Sequence, residues 1–417
     1  MTKKSTSWST STGVDLNTFT MKNFVYSGMA VLTIFAVSCS KSNVTPQKTN
    51  PIDTTKTLPP VSVYLTNAEA THTFTVNNYL TPYGSYRVNT TTNTNSAFEW
   101  YNASQLYADA EMVGLGNASY LPLMNNTFAW LNKLIDKSDA NGGYFAFANL
   151  DGSGGSGAKY VDDDALTGVA YLAAYDVTTG AAQTSYLNAA EACANWLMNS
   201  GQWDSTFGGG FWWSTDKTVK PTQSNAIALQ LFLRLYKITG QTQYHDWAVQ
   251  INTWLNTKML NSTNGLYIWQ IEANGTVDSY NFTYDNAIMV EADLLYVDAM
   301  GDNTYLTRAQ ALGSAMIKTL YDPNHNVFIF NTNDIRINPC YCGWASQAMI
   351  KLYEADKNSS WLTYATANIN QINAVLKAAN NGYYQYAGLD GAGRYTNMEG
   401  VDQAWMQRIQ ALLSKYK

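Results

Sequence analysis

The chain has 417 residues, with 46% hydrophobic side chains, only 13% charged ones and a net charge of −6. That length and apolar share support a large core, and the acidic balance excludes the basic footprint of a nucleic-acid binder. Tyr, Trp, Asn, Thr and Gly stand in for the missing charges, and their stacking faces and hydrogen bonds suit neutral polyhydroxyl ligands. In chain order, residues Met1 to Thr20 are polar and without pattern. Met21-Lys22-Asn23 then precedes an apolar run from Phe24 to Val37, followed by Ser38 and Cys39. A weakly basic start, a run too short to span a bilayer and small residues at its end predict a signal peptide over 1–38, with Met21 as the true start.

The Cys after Ser38 resembles a bacterial lipoprotein processing box, which implies lipidation of Cys39 and a membrane partner through that anchor. The expected location is the bacterial cell envelope, on the outer membrane, facing the periplasm or the surface. Stable anchoring of this kind needs more than one acyl chain. Residues 39–65, rich in Thr, Pro, Lys and Ser, are the expected tether. From 66 to 417 a repeat takes over.

The repeat is carried by Asn102-Ala103, Asp164-Ala165, Asn225-Ala226, Asn286-Ala287, Trp344-Ala345 and Gln403-Ala404. Their first members lie 62, 61, 61, 58 and 59 residues apart, and each pair opens a helical apolar pattern. A second set interleaves: Tyr120-Leu121, Tyr186-Leu187, Tyr244-His245, Tyr305-Leu306 and Trp361-Leu362. Two helices per period, repeated about six times, predict an all-α (α/α)6 barrel of six inner and six outer helices. The repeated position is expected to place comparable residues around the axis. In one repeat, Leu166, Val169, Ala173 and Val177 form a helical face that Thr178-Thr179-Gly180 ends, and a partner helix starts near Tyr186. Glycine- and aromatic-rich connections such as Gly208-Gly209-Gly210-Phe211-Trp212-Trp213 and Asn141-Gly142-Gly143-Tyr144 are expected to line one rim and to approach a ligand closely.

Chemistry concentrates in Asp162-Asp163-Asp164. Capping and the helix dipole account for one or two acids at a helix start. Three adjacent carboxylates repel for little added gain, and the other repeats carry Trp100-Tyr101-Asn102, Gln223-Ser224-Asn225 and Tyr284-Asp285-Asn286 there. A pair of carboxyl groups is what glycoside hydrolysis needs, one ionised and one holding a proton. The three histidines, His72, His245 and His325, show no metal-ligand spacing, and Cys340-x-Cys342 lacks the second half of a zinc pattern. Cys193 fits a small buried residue. No metal site and no cofactor motif is expected.

Tyr160-Val161-Asp162-Asp163-Asp164-Ala165, followed by the triple-glycine aromatic segment and by Phe282-Thr283-Tyr284-Asp285-Asn286-Ala287, resembles glycoside hydrolase family 76, the α-1,6-mannanases, over roughly 66–417. The resemblance implies a ring of six inner and six outer helices and a retaining, endo-acting cleavage of α-1,6-mannan. It implies Asp162 as nucleophile and Asp163 as general acid/base, with the register Asp163/Asp164 left open. Trp100, Asp164, Trp212, Trp213, Asn225, Tyr284 and Asp285 are the expected contacts to the polysaccharide. Leu166, where the family commonly has Trp, and Tyr284-Asp285-Asn286-Ala287 depart from its pattern. Two other readings share these features: a helical glycan-binding lipoprotein without catalysis, and an (α/α)6 hydrolase of another glycan.

Overall fold

The computed structural model describes residues 61–417. The expected signal peptide, the Met21 start and the lipidated Cys39 lie outside the described residues, as does all of the tether but its last few positions. The chain forms the (α/α)6 barrel. Inner helices α2 (Glu99–Gly114), α4 (Val161–Asp176), α6 (Thr222–Thr239), α8 (Thr283–Met300), α10 (Pro339–Asp356) and α12 (Gly400–Leu413) each pack on the next. The last of them packs back on the first and closes the ring. Outer helices α3 (Leu121–Leu131), α5 (Gly180–Asn199), α7 (Thr242–Trp254), α9 (Thr304–Leu320) and α11 (Ser359–Leu376) each cover the inner helix before them.

The sixth outer helix comes from the other end of the chain. Helix α1 (Val63–Tyr79) covers α12, so the first and last helices of the described residues complete the last pair. This helix starts inside the segment expected as tether, and nothing in the repeat announces it because no inner helix precedes it. Its hydrogen bonds are correspondingly long in sequence: the Tyr64 hydroxyl donates to Asn370 Oδ1 at 2.9 Å and the Tyr79 hydroxyl to the Met398 carbonyl at 2.9 Å.

Inner and outer helices differ in what they bury. The α9 helix buries Ala309, Leu312, Gly313, Met316 and Leu320, a single stripe of the kind a surface helix shows. The α12 helix is buried along its whole length, polar residues included. Small residues let the inner helices approach: a Cβ added to Gly168 on α4 would come within 2.8 Å of Leu231 on α6. Leu231 itself is fully buried, which contributes about 2 kcal/mol. The expected helix stop at Gly180 is instead the first residue of α5, six residues before Tyr186. Its first turn is almost wholly solvent-facing, so the apolar signal begins only at Tyr186, which is 1% exposed.

The connections running from an outer helix to the next inner helix gather at one end of the barrel. Short strands stitch neighbouring connections together there. Ser96–Phe98 pairs antiparallel with Phe147–Asn149, ahead of α2 and α4. Val219–Pro221 pairs with Gln270–Glu272, ahead of α6 and α8, in the register Val219 to Glu272. The rim that carries the first turns of the inner helices is thereby braced.

Candidate active site

The repeated polar residue has one task around the ring. Asn102 accepts from the Tyr86 backbone N–H at 2.7 Å and donates to the Tyr86 and Phe98 carbonyls. Asn225 does the same for Phe211 and Pro221, Asn286 for Tyr267 and Phe282, and Gln403 for Tyr383 and Glu399. Each pins an incoming connection to the inner helix it feeds. Trp344 has no amide to offer, and in that repeat Asn368 of α11 accepts from the Phe328 N–H at 2.9 Å. Asp164 fills the second place, accepting from the Tyr144 N–H at 3.2 Å and 3.3 Å through its two oxygens.

This corrects three of the expected sugar contacts. Asn225 and Asp164 are fully buried, with their polar atoms directed at loop backbone and away from any ligand. Trp212 is 5% exposed; its N–H donates to Asp204 Oδ2 at 2.6 Å and Lys220 Nζ lies 4.6 Å from its ring centre. The triple glycine also approaches protein rather than ligand. At Gly210, φ is +93° and an added Cβ would come within 2.5 Å of the Trp254 ring. Gly143 at φ +80° meets Trp196 in the same way. Glycine is required there by both the backbone and the space.

Lys220 holds this connection together from inside. Its side chain is fully buried, pairs with Asp204, and donates to the Thr206 and Gly209 carbonyls at 2.8 Å and 2.9 Å. Lys220→Met leaves those carbonyls without a donor. It is expected to cost about 3 kcal/mol, or a fall of about 4 °C in Tm for a domain this size, readable by calorimetry.

What remains at the rim is a cluster of carboxyl groups with aromatic rings beside it. Asp162 and Asp163 stand in the first turn of α4, where the helix's positive end favours negative charge. Asp162 is 7% exposed; its Oδ2 accepts from the Trp213 indole N–H at 2.9 Å, and its Oδ1 has no protein partner. Burial pushes its carboxyl up to about 6, against the pull of Trp213 and of two backbone N–H groups. Asp163 is half-buried and receives no side-chain hydrogen bond. Burial, with Asp162 and Asp164 beside it, raises its carboxyl well above the usual range.

Trp213, 37% exposed, packs on Tyr160 at 4.9 Å and forms one wall. Tyr284 lies 4.9 Å from Tyr341, and both tyrosines feel the charge of Asp162. Asp285 is fully buried with neither oxygen partnered, and burial followed by Asp162 raises its carboxyl. Trp100 is half-buried on the first turn of α2, packs 6.3 Å from Trp344 and has an indole N–H without a partner.

Three participants were not anticipated. Glu99 is fully buried, accepts from the Thr167 hydroxyl at 2.9 Å, and keeps Oε2 free of partners; burial raises it, then Asp164 and Asp163. Asp402 is buried on α12, accepts from the Cys340 N–H at 3.2 Å, and is raised by burial. Tyr341 sits between Cys340 and Cys342, so the C-x-C buries its two thiols and presents the ring between them. Glu99 and Asp402 occupy the first turns of their own inner helices, which is the one signal that could have found them. A single acid there otherwise reads as a complement to the helix dipole. Among the described residues no Lys or Arg is ion-paired with Glu99, Asp162, Asp163, Asp164, Asp285 or Asp402. Carboxyls so placed cannot all ionise, and some must hold protons near neutral pH.

A closed ring of six helix pairs, with acids and aromatic rings gathered at one mouth, defines an (α/α)6 barrel with a carboxyl cluster at one end. The sequence pattern of glycosyl hydrolase family 76 matches residues 65–338, and the chain belongs to that family. The fold is similar to a family 76 α-mannanase of Bacteroides thetaiotaomicron, with TM-score 0.75 and 21% identity over 85% of this chain and 96% of that one. It is similar to an inactive α-1,6-mannanase variant of Salegentibacter sp. HEL1_6 in complex with α-1,6-mannotriose, with TM-score 0.69 and 20% identity over 85% of this chain and 100% of that one. A mannan endo-1,6-alpha-mannosidase of Candida glabrata is 26% identical over 174 residues, which is 37% of this chain and 37% of that protein's length.

Proposed function

We propose that the chain is a retaining, endo-acting glycoside hydrolase that cleaves α-1,6-linked mannan. The observation that carries it is the unlike treatment of two neighbouring acids. Asp162 is given a hydrogen-bond donor for its charge, and Asp163 is given none and is flanked by like charges. That is the division of labour a double displacement needs. The Asp162 carboxylate bonds to the anomeric carbon as the glycosidic C–O bond breaks, and Asp163 gives its proton to the departing oxygen. Asp163 then takes a proton from water, whose oxygen replaces Asp162 at the anomeric carbon and leaves the configuration as it was. In the Salegentibacter mannanase, the inactive variant replaces two aspartates at consecutive positions, which supports the assignment to a neighbouring pair.

Trp213 and Tyr284 line the sugar path on either side, Trp100 offers its free indole N–H, and Asp285 takes a sugar hydroxyl on its unpartnered oxygens. The polysaccharide reaches the enzyme at the cell envelope, where Cys39 holds it to the membrane. The test is incubation of the chain lacking residues 1–39 with linear α-1,6-mannan. Release of short oligosaccharides of α configuration, followed by NMR, is the expected result. Retention on mannan without release makes this a binding protein. Neither release nor retention makes another glycan the substrate.

The pH dependence follows from the same pair. Asp162 must be ionised, so kcat/KM falls about tenfold per pH unit as pH drops below about 6. Asp163 must be protonated, so the alkaline limb comes where its raised carboxyl finally ionises, above the acid limb. A rate that keeps rising through the alkaline side would exclude Asp163 as the acid.

A further inference from the structure

The barrel opens at the C-terminal ends of the inner helices, at the end opposite the acids of their first turns. A cavity of about 780 Å³ lies there, lined by residues of all six inner helices. That is within the size range of small-molecule sites, which run from about 300 to 1,000 Å³. Five basic and five acidic side chains line it. Four of each are matched in ion pairs, Lys351 with Glu354 at 2.7 Å among them. The unmatched basic residue is Arg408 and the unmatched acid is Glu291.

These two make no hydrogen bond or ion pair with each other. Glu291 accepts from the Trp344 indole at 2.9 Å and from the Gln347 amide, one donor on each oxygen, and Arg408 reaches it through its charge without a hydrogen bond. Arg408 is 3% exposed and makes no hydrogen bond or ion pair with any described residue. Its guanidinium carbon lies 3.5 Å from the Tyr107 ring centre, which holds the group flat and leaves its N–H donors in the plane. A buried guanidinium without an acceptor is costly, and a bidentate oxyanion is the partner its geometry fits best. The negative ends of the inner helices also point here, which by itself favours a cation. The four ion pairs at the mouth carry no net charge, so Arg408 is itself the cation that faces those helix ends. Val169, Leu233 and Leu294 supply apolar wall for a carbon body.

We propose that this opposite mouth is a second ligand site, in which Arg408 binds the carboxylate or phosphate of a small organic anion. The test is isothermal titration of the full chain, at constant ionic strength, with glucuronate, glucose 6-phosphate, inorganic phosphate and, as neutral control, mannose. One equivalent bound for at least one anion, none for mannose, and a loss of at least about tenfold in affinity in Arg408→Gln are expected. Binding of glucuronate alone identifies a carboxylate site; binding of both phosphates identifies a phosphate site. Arg408→Lys keeps the charge but not the fork, so weaker binding there supports the assignment should Arg408→Gln fail to fold. No heat with any anion, or equal binding in both variants, overturns the proposal. None of these outcomes depends on whether mannan is cleaved.

Discussion

Asp162→Asn and Asp163→Asn are each expected to stop mannan cleavage, while Asp164→Asn is expected to leave it within about threefold of the parent chain. Removing the nucleophile is expected to cost about 10⁴-fold or more in kcat, or at least about 5.5 kcal/mol of barrier. Removing the acid/base costs about 10²- to 10⁴-fold. The two losses separate on an aryl mannoside whose leaving group needs no proton. Asp163→Asn still forms the glycosyl-enzyme there, and added azide restores turnover, whereas Asp162→Asn stays inactive.

Asp164 belongs to the other category because its counterparts in four of the repeats are amides that clamp loop backbone. It is fully buried, and burial raises its carboxyl well above the usual range, against the Tyr144 N–H. An asparagine there keeps the acceptor and adds a donor, as Asn225 uses for the Pro221 carbonyl. Asp164→Asn is therefore expected to fold with equal or greater stability, by up to about 1 kcal/mol. Loss of activity in Asp164→Asn, with activity kept in Asp162→Asn, would move the pair one residue along.

Deleting residues 61–79 is expected to abolish cooperative folding. Without α1 the sixth inner helix loses its cover, and α12, otherwise buried along its length, meets solvent. Helix α1 buries Tyr64, Phe74 and Tyr79 together with Ala68, Thr71 and Thr75. Three aromatic side chains at about 2 kcal/mol each come to about 6 kcal/mol, comparable with the whole stability of an ordinary domain. Thermal unfolding followed by circular dichroism should show a broad transition at much lower temperature, or aggregation. A sharp transition within about 5 °C of the parent would mean that the other helix pairs hold the ring shut without it.

The helical ring was legible because a 60-residue spacing, with an amphipathic outer helix in each period, is a local signal repeated many times. The outer stripes, such as Leu312, Met316 and Leu320, show the 3.6-residue period directly. The acids proposed as the catalytic pair stood out through a departure from the repeat, three acids where other repeats hold none or one. The roles within that triplet were not. Asp164 and its neighbours look alike in one dimension, and only the arrival of Tyr144 at hydrogen-bond distance turns one of them into a clamp. Trp212 and Trp213 are likewise adjacent and identical in type. One is taken by Lys220 and Asp204, and the other turns to Asp162.

By itself, the sequence determined the number of helix pairs, the end of the barrel where the acids gather and which acids depart from the repeat. Each of these rests on spacing along the chain, or on residue types that differ from their repeat partners. Tertiary structure alone decided that α1 closes the ring on α12 and that Asn368 replaces the missing amide at Trp344. It alone buried Glu99 and Asp402 unpaired at one mouth and Arg408 without an acceptor at the other. Those outcomes turn on partners that in most cases lie tens to hundreds of residues away. Whether a charge is paired depends on which groups the fold brings within a few ångströms, and separation along the chain says little about that.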